Sequence, residues 1–126
     1  MRKALLAIYG GTRQTEDAVE LGLQWLKAQQ LRNGSWSLRG PYEDGGASEN
    51  NTAATAMALL AFMGAGNTHQ SGPYAAEVER GIKWLVSQQD RSGFMAKSAR
   101  DHERMYAHAQ GMIAICELYG MTGDSW

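Results

Sequence analysis

The densest group of chemically capable side chains runs from Arg100 to His108, RDHERMYAH. His102-Glu103 opens like the H-E-x-x-H zinc pattern, in which two histidines four apart share a helix face and the glutamate serves as base. Here the fourth position on is Tyr106, so the pattern fails. His108 lies six residues from His102, a spacing that does not bring both rings, with Asp101, to one helical face. No metal site and no cofactor is expected, and the run reads as a solvated charged loop entering an apolar helix. Cys116 is the single cysteine, which excludes an internal disulfide, and in its apolar run it reads as a packed core residue. No glycine-rich phosphate loop or nucleophile elbow is present. That leaves Tyr106, His108 and Gln110 at the start of one apolar helix, and Met57 on another, as candidate ligand-binding residues. A lone histidine in such a helix is more commonly a hydrogen-bonded core residue. Glu117 is expected near the solvated end of its helix and His69 on a surface loop, while Asn50, Asn51 and Thr52 suit a helix N-cap.

Composition narrows the classes further. The 126 residues are 44% apolar and 20% charged, with net charge −1, which fits one globular unit with a small core. Without a basic stripe there is no footprint for nucleic acid. No run approaches the ~18 apolar residues of a membrane span. The start, MRKALLAIYGG, has too short an apolar stretch for a signal peptide, so no compartment is assigned.

The elements that must position these side chains are written twice. LGLQWLKAQQLRNGSW (Leu21–Trp36) returns as RGIKWLVSQQDRSGF (Arg80–Phe94), displaced by the 59 residues from Trp25 to Trp84. Val19, Glu20, Gly22, Leu26, Gln29, Gln30, Arg32 and Gly34 then fall on Val78, Glu79, Gly81, Leu85, Gln88, Gln89, Arg91 and Gly93. AMALLAFMGAGNT (Ala56–Thr68) matches GMIAICELYGMTG (Gly111–Gly123), displaced by the 55 residues from Met57 to Met112, and the difference belongs to the loop between. The first helix type carries one apolar stripe at spacings of three and four; the second is apolar nearly all round and must be buried on most sides. The reading is all-α, with an outer half-wet helix alternating with an inner dry one. Residues 1–126 form one segment of about two and a half αα-hairpins. Residues 1–11 end an inner helix, 15–66 and 74–120 are two hairpin repeats, and 121–126 start a further, truncated repeat.

Gly22, Trp25-Leu26, Gln30, Gly34 and Trp36 resemble the QW motif of squalene and oxidosqualene cyclases. Gly81, Trp84-Leu85, Gln89 and Gly93 form a degenerate copy, with Met95 where its last tryptophan would stand. The chain is similar to the prenyltransferase/squalene-oxidase repeats of that superfamily, which implies part of an (α/α) toroid around a central cavity. The resemblance also implies that Gln30 caps the N–H groups of a neighbouring helix under the cover of Trp36. The motif is then structural rather than catalytic.

Catalytic signatures of these relatives are not written in this segment: neither a D-x-D-D acid run, nor a D-x-C zinc set, nor a Cys-Gly-Glu-Gln thioester stretch. Two readings follow. One is a non-catalytic repeat module that takes up an apolar, isoprenoid-like ligand or a protein partner. The other is a fragment of a terpenoid cyclase or prenyltransferase-like enzyme, with Met57, Met63, Met105, Met112 and Tyr106 as pocket candidates. Because so few hairpins leave apolar flanks uncovered, the isolated chain is expected to self-associate.

Overall fold

The computed structural model describes Ala4 and residues 8–125, and among these the regular structure is entirely helical. Four α-helices lie wholly within the described residues: α1 (Arg13–Gln29), α2 (Asn51–Gly64), α3 (Ala75–Ser87) and α4 (Arg104–Thr122). A single 3-10 turn, Asp101–Glu103, leads into α4.

Each boundary has a local cause. Thr12 and Thr15 form a reciprocal capping box at the start of α1, so two otherwise orphaned N–H groups are satisfied. Asn50 caps α2 by accepting from the Ala53 N–H at 3.1 Å. α4 closes on Gly123, whose φ of 67° is the left-handed conformation that glycine adopts at least cost.

α2 is the hub, packed most extensively against α4, then α3, then α1. Its alanines let neighbouring helices approach, and Leu59, Phe62 and Met63 are buried at its centre. Outer α3 turns Val78, Ile82 and Leu85 into the same core, joined by Trp36, Tyr74 and Met95. This is the two-layer hairpin arrangement of a toroid segment, with α1 and α3 outside and α2 and α4 inside.

Equivalent positions in the two copies are not equally covered. Val78 is fully buried, whereas its counterpart Val19 is 47% exposed. Phe62 is fully buried, whereas its counterpart Glu117 is exposed. The difference is one of neighbours: the second hairpin covers the flank of the first, and no described element continues the series on either side.

Three sequence expectations change. Cys116 is exposed rather than packed, lining an open cleft with Ile82, Val86 and Tyr119. The His69 side chain is only 8% exposed rather than superficial, since its ring meets Asp124 Oδ2 at 2.8 Å and is drawn under the chain end. Glu117 is solvated as expected, but well inside α4, which runs on to Thr122. The expected inner-helix end over 1–11 falls partly outside the described residues; of it, Ala4 and Ile8 are helical. Within 121–125 the chain finishes α4 and leaves it without starting another helix.

Candidate functional site

Two turns of like backbone follow the outer helices. In the first, the Leu31 N–H donates to the Ser35 carbonyl and the Gly34 N–H to the Leu31 carbonyl, both at 2.9 Å. In the second, Asp90 and Gly93 donate in the same way to Phe94 and Asp90. Gly34 and Gly93 take φ of 93° and 84°, which is why glycine recurs there.

The first turn is a joint between helices. The Gln30 amide nitrogen donates to the carbonyls of Gly34 at 2.9 Å and Glu77 at 3.0 Å. Its Oε1 accepts from Arg80 Nη2 at 2.6 Å and Nε at 3.2 Å. The expected capping of helix N–H groups is thus corrected: the amide nitrogen donates to two carbonyls, and the amide oxygen, the side-chain atom that would accept a helix N–H, is taken by the Arg80 guanidinium. Around the joint, Lys27 pairs with the buried Glu77 carboxylate at 3.3 Å. Tyr74 donates its hydroxyl to Glu20 at 2.6 Å, which pushes the phenol up to about 12 and holds the Glu20 carboxyl below its usual range.

Trp36 lies beneath, its indole N–H donating to the Leu26 carbonyl at 2.7 Å and its ring 5.9 Å from that of Phe62. Its backbone N–H donates to Thr55 Oγ1 at 3.0 Å. In the second copy that acceptor is His108 Nδ1, 3.4 Å from the Met95 N–H, with the ring against Phe94 at 4.7 Å. His108 therefore clamps a turn to an inner helix. Asp90, which sequence reasoning missed, organises the second turn by accepting from Ser92 and from the Phe94 N–H. The Ser92 hydroxyl is foremost in holding its carboxyl far below the usual range. The signal that was legible is the D-x-S-G spacing, a common side-chain turn.

Beside the first turn, an apolar pocket opens between α1, α2 and the connecting loop. It holds about 510 Å³ of empty space, part of it open to solvent, and is walled by Trp25, Leu26, Leu38, Tyr42, Met57 and Trp36 among others. Trp25 and Tyr42 meet at 5.2 Å with rings tilted by 51°. Tyr42 is held by donating to the Ser37 carbonyl. Glu49 holds the loop itself, accepting from the Ser37 hydroxyl and from the N–H groups of Leu38 and Asn50.

Of the four candidate ligand residues, Met57 alone lines this pocket. Tyr106 is 76% exposed, while His108 is engaged with Met95. Gln110 is half-buried, and its Oε1 is covered without a hydrogen-bond partner. Of the further pocket candidates, Met63 is core, and Met105 and Met112 are exposed. Among the described residues, no group of three or more His, Cys, Asp or Glu is arranged to hold a metal ion. No described helix is long and apolar enough to cross a membrane.

The repeated hairpins, the glutamine joint and the buried tryptophan define a toroid segment. The family model of the squalene-hopene cyclase C-terminal domain matches residues 3–104, more than half of the chain, and the chain belongs to that family. The match stops at the first residue of α4. No curated protein and no solved structure matches.

Proposed function

We propose that this chain is a non-catalytic α/α-toroid module that takes up an apolar, isoprenoid-like ligand and associates with further copies through its open flanks. The observation that carries the ligand reading is the pocket at Trp25, Tyr42 and Met57, where two aromatic rings and a thioether line a cleft with few polar groups. Such a lining binds by removing apolar surface from water, with little directional demand on the ligand. The polar groups nearby are committed to structure: Glu49 to the loop, Gln30 to α3, His108 to the second turn.

Titrating the protein with farnesol while following tryptophan emission tests this. Saturable binding that Met57→Asp abolishes, with helix content unchanged, is expected. No saturation, or saturation indifferent to Met57→Asp, overturns the pocket.

Membership in a cyclase domain family favours a second reading, a fragment of a terpenoid cyclase or prenyltransferase-like enzyme. That reading needs a catalytic acid or zinc set from residues beyond these. Turnover of squalene or a prenyl diphosphate by the purified chain would support it, and retention of the unreacted compound would oppose it.

A further inference from the structure

We infer that the pocket beside Trp25 reads the head of its ligand through the side-chain amide of Gln29, and so takes an apolar chain ending in an uncharged hydrogen-bonding group, an alcohol. This rests on the apolar-ligand reading and adds the ligand's polar end to it.

Most polar side chains that line the pocket are already engaged. The Trp36 indole N–H donates to the Leu26 carbonyl, and the Tyr42 hydroxyl to the Ser37 carbonyl. The Ser37 hydroxyl donates to Glu49 and accepts from the Arg39 N–H at 3.0 Å. Two groups remain: the indole N–H of Trp25, a residue 48% exposed, and the amide of Gln29. Gln29 is half-buried, yet its amide has no hydrogen-bond partner among the described residues.

The two nearest comparisons within the chain behave differently. Gln30, next in sequence, engages both ends of its amide in the joint with α3. Gln88, the counterpart of Gln29 in the second repeat, donates to the Ser87 hydroxyl at 3.2 Å and towards the Trp84 carbonyl at 3.5 Å. Ala28 stands where the second repeat has Ser87, so Gln29 has no such hydroxyl beside it. Its amide offers two donors and an acceptor at the edge of an apolar wall. A ligand hydroxyl can bond to either end of that amide, while the chain behind it removes Trp25, Leu38 and Met57 from water.

Charge selects against an ionic head. None of the residues lining the pocket is charged. Gln29 is the last residue of α1, so the pocket abuts the negative end of that helix dipole, which repels a phosphate. Lys27, the cation of the same turn, is paired with Glu77. A cationic head fares no better: Glu49 is committed to Ser37, Leu38 and Asn50. The Trp25 and Tyr42 rings pack on each other at 5.2 Å, which leaves no room between them for an ammonium group.

Farnesol, β-farnesene, farnesyl diphosphate and farnesylamine carry like isoprenoid chains and differ at the head. Titrations followed by tryptophan emission should show farnesol binding about threefold to tenfold more tightly than β-farnesene, the worth of one neutral hydrogen bond. The diphosphate and the amine should bind more weakly than the alcohol. Gln29→Leu, with unchanged helix content, should bind alcohol and hydrocarbon alike, and Gln29→Ala should do the same if leucine disturbs the fold. Equal binding of farnesol and β-farnesene by the wild type overturns the inference. So does a Gln29→Leu chain that keeps the preference, or tighter binding of either charged compound. Those results leave the pocket itself standing where Met57→Asp still abolishes binding. Absence of saturation by all four compounds overturns the pocket and the inference together.

Discussion

The carboxamide of Gln30 touches both the backbone and a side chain of the following outer helix: its nitrogen donates to the Glu77 carbonyl while Arg80 donates to its oxygen at 2.6 Å. One side chain thereby joins two successive outer helices. The equivalent Gln89 is exposed.

This asymmetry predicts the outcome of paired truncations. Gln30→Ala should lower the unfolding free energy by about 1–3 kcal/mol, because a partly buried carbonyl and a guanidinium lose their partner. Gln89→Ala in the dilute monomer should stay within about 0.5 kcal/mol of wild type. Urea denaturation of both variants compares them directly.

The two helical glycines should respond with opposite sign. Gly81→Ala places a methyl against Leu59 and Trp36 and should destabilise by about 1–3 kcal/mol, the usual cost of overpacking. Gly22→Ala meets open space in the monomer and should stabilise by about 0.5–1 kcal/mol through backbone entropy. Melting temperatures at low concentration read the difference.

Tyr74 sets an alkaline limit. Its hydroxyl must keep its proton to donate to Glu20, and its folded pKa of about 12 lies above the ordinary value of 10.0. The folded state therefore holds more protons than the unfolded between those values. Stability from this contact is complete below the lower value and is lost as pH rises through the window. Tyr74→Phe should abolish that part of the decline, so the gap between the two urea midpoints should narrow from pH 8 to pH 11 (about one unit above the ordinary phenol pKa).

Glu49 should matter to the pocket through its loop. Glu49→Ala leaves the Leu38 and Asn50 N–H groups without their acceptor. Hydrogen exchange across residues 37–50 should rise, and farnesol affinity should fall about threefold to tenfold as Tyr42 loses its fixed place beside Trp25. Unchanged exchange in this loop would contradict the role given to Glu49.

Much of this architecture could be read from the chain before any coordinates. Paired Trp25 and Trp84, with glutamines and glycines at one spacing behind them, reported a repeat, and the alanine-rich Thr52–Gly66 run reported an inner helix. Periodicity reports which face of a helix is apolar, and a repeated turn reports itself through its glycine, because both are properties of a few consecutive residues. The surroundings of Tyr106, His108 and Gln110 are less legible: whether a polar group on an apolar helix faces a cavity, a turn or solvent depends on elements far away in the chain.

By itself, the sequence determined the helical class, the repeat unit and the family resemblance. Each is encoded in local spacing and does not depend on what lies opposite. Only the tertiary structure decided that His108 holds the Met95 turn, that Met57 shares a pocket with Trp25 and Tyr42, and that Gly81 is covered while Gly22 is open. Those facts are contacts between segments distant in sequence. Identical residues at Gly22 and Gly81 acquire different surroundings: Leu59 and Trp36 press on Gly81, and nothing described lies within 4 Å of a Cβ at Gly22.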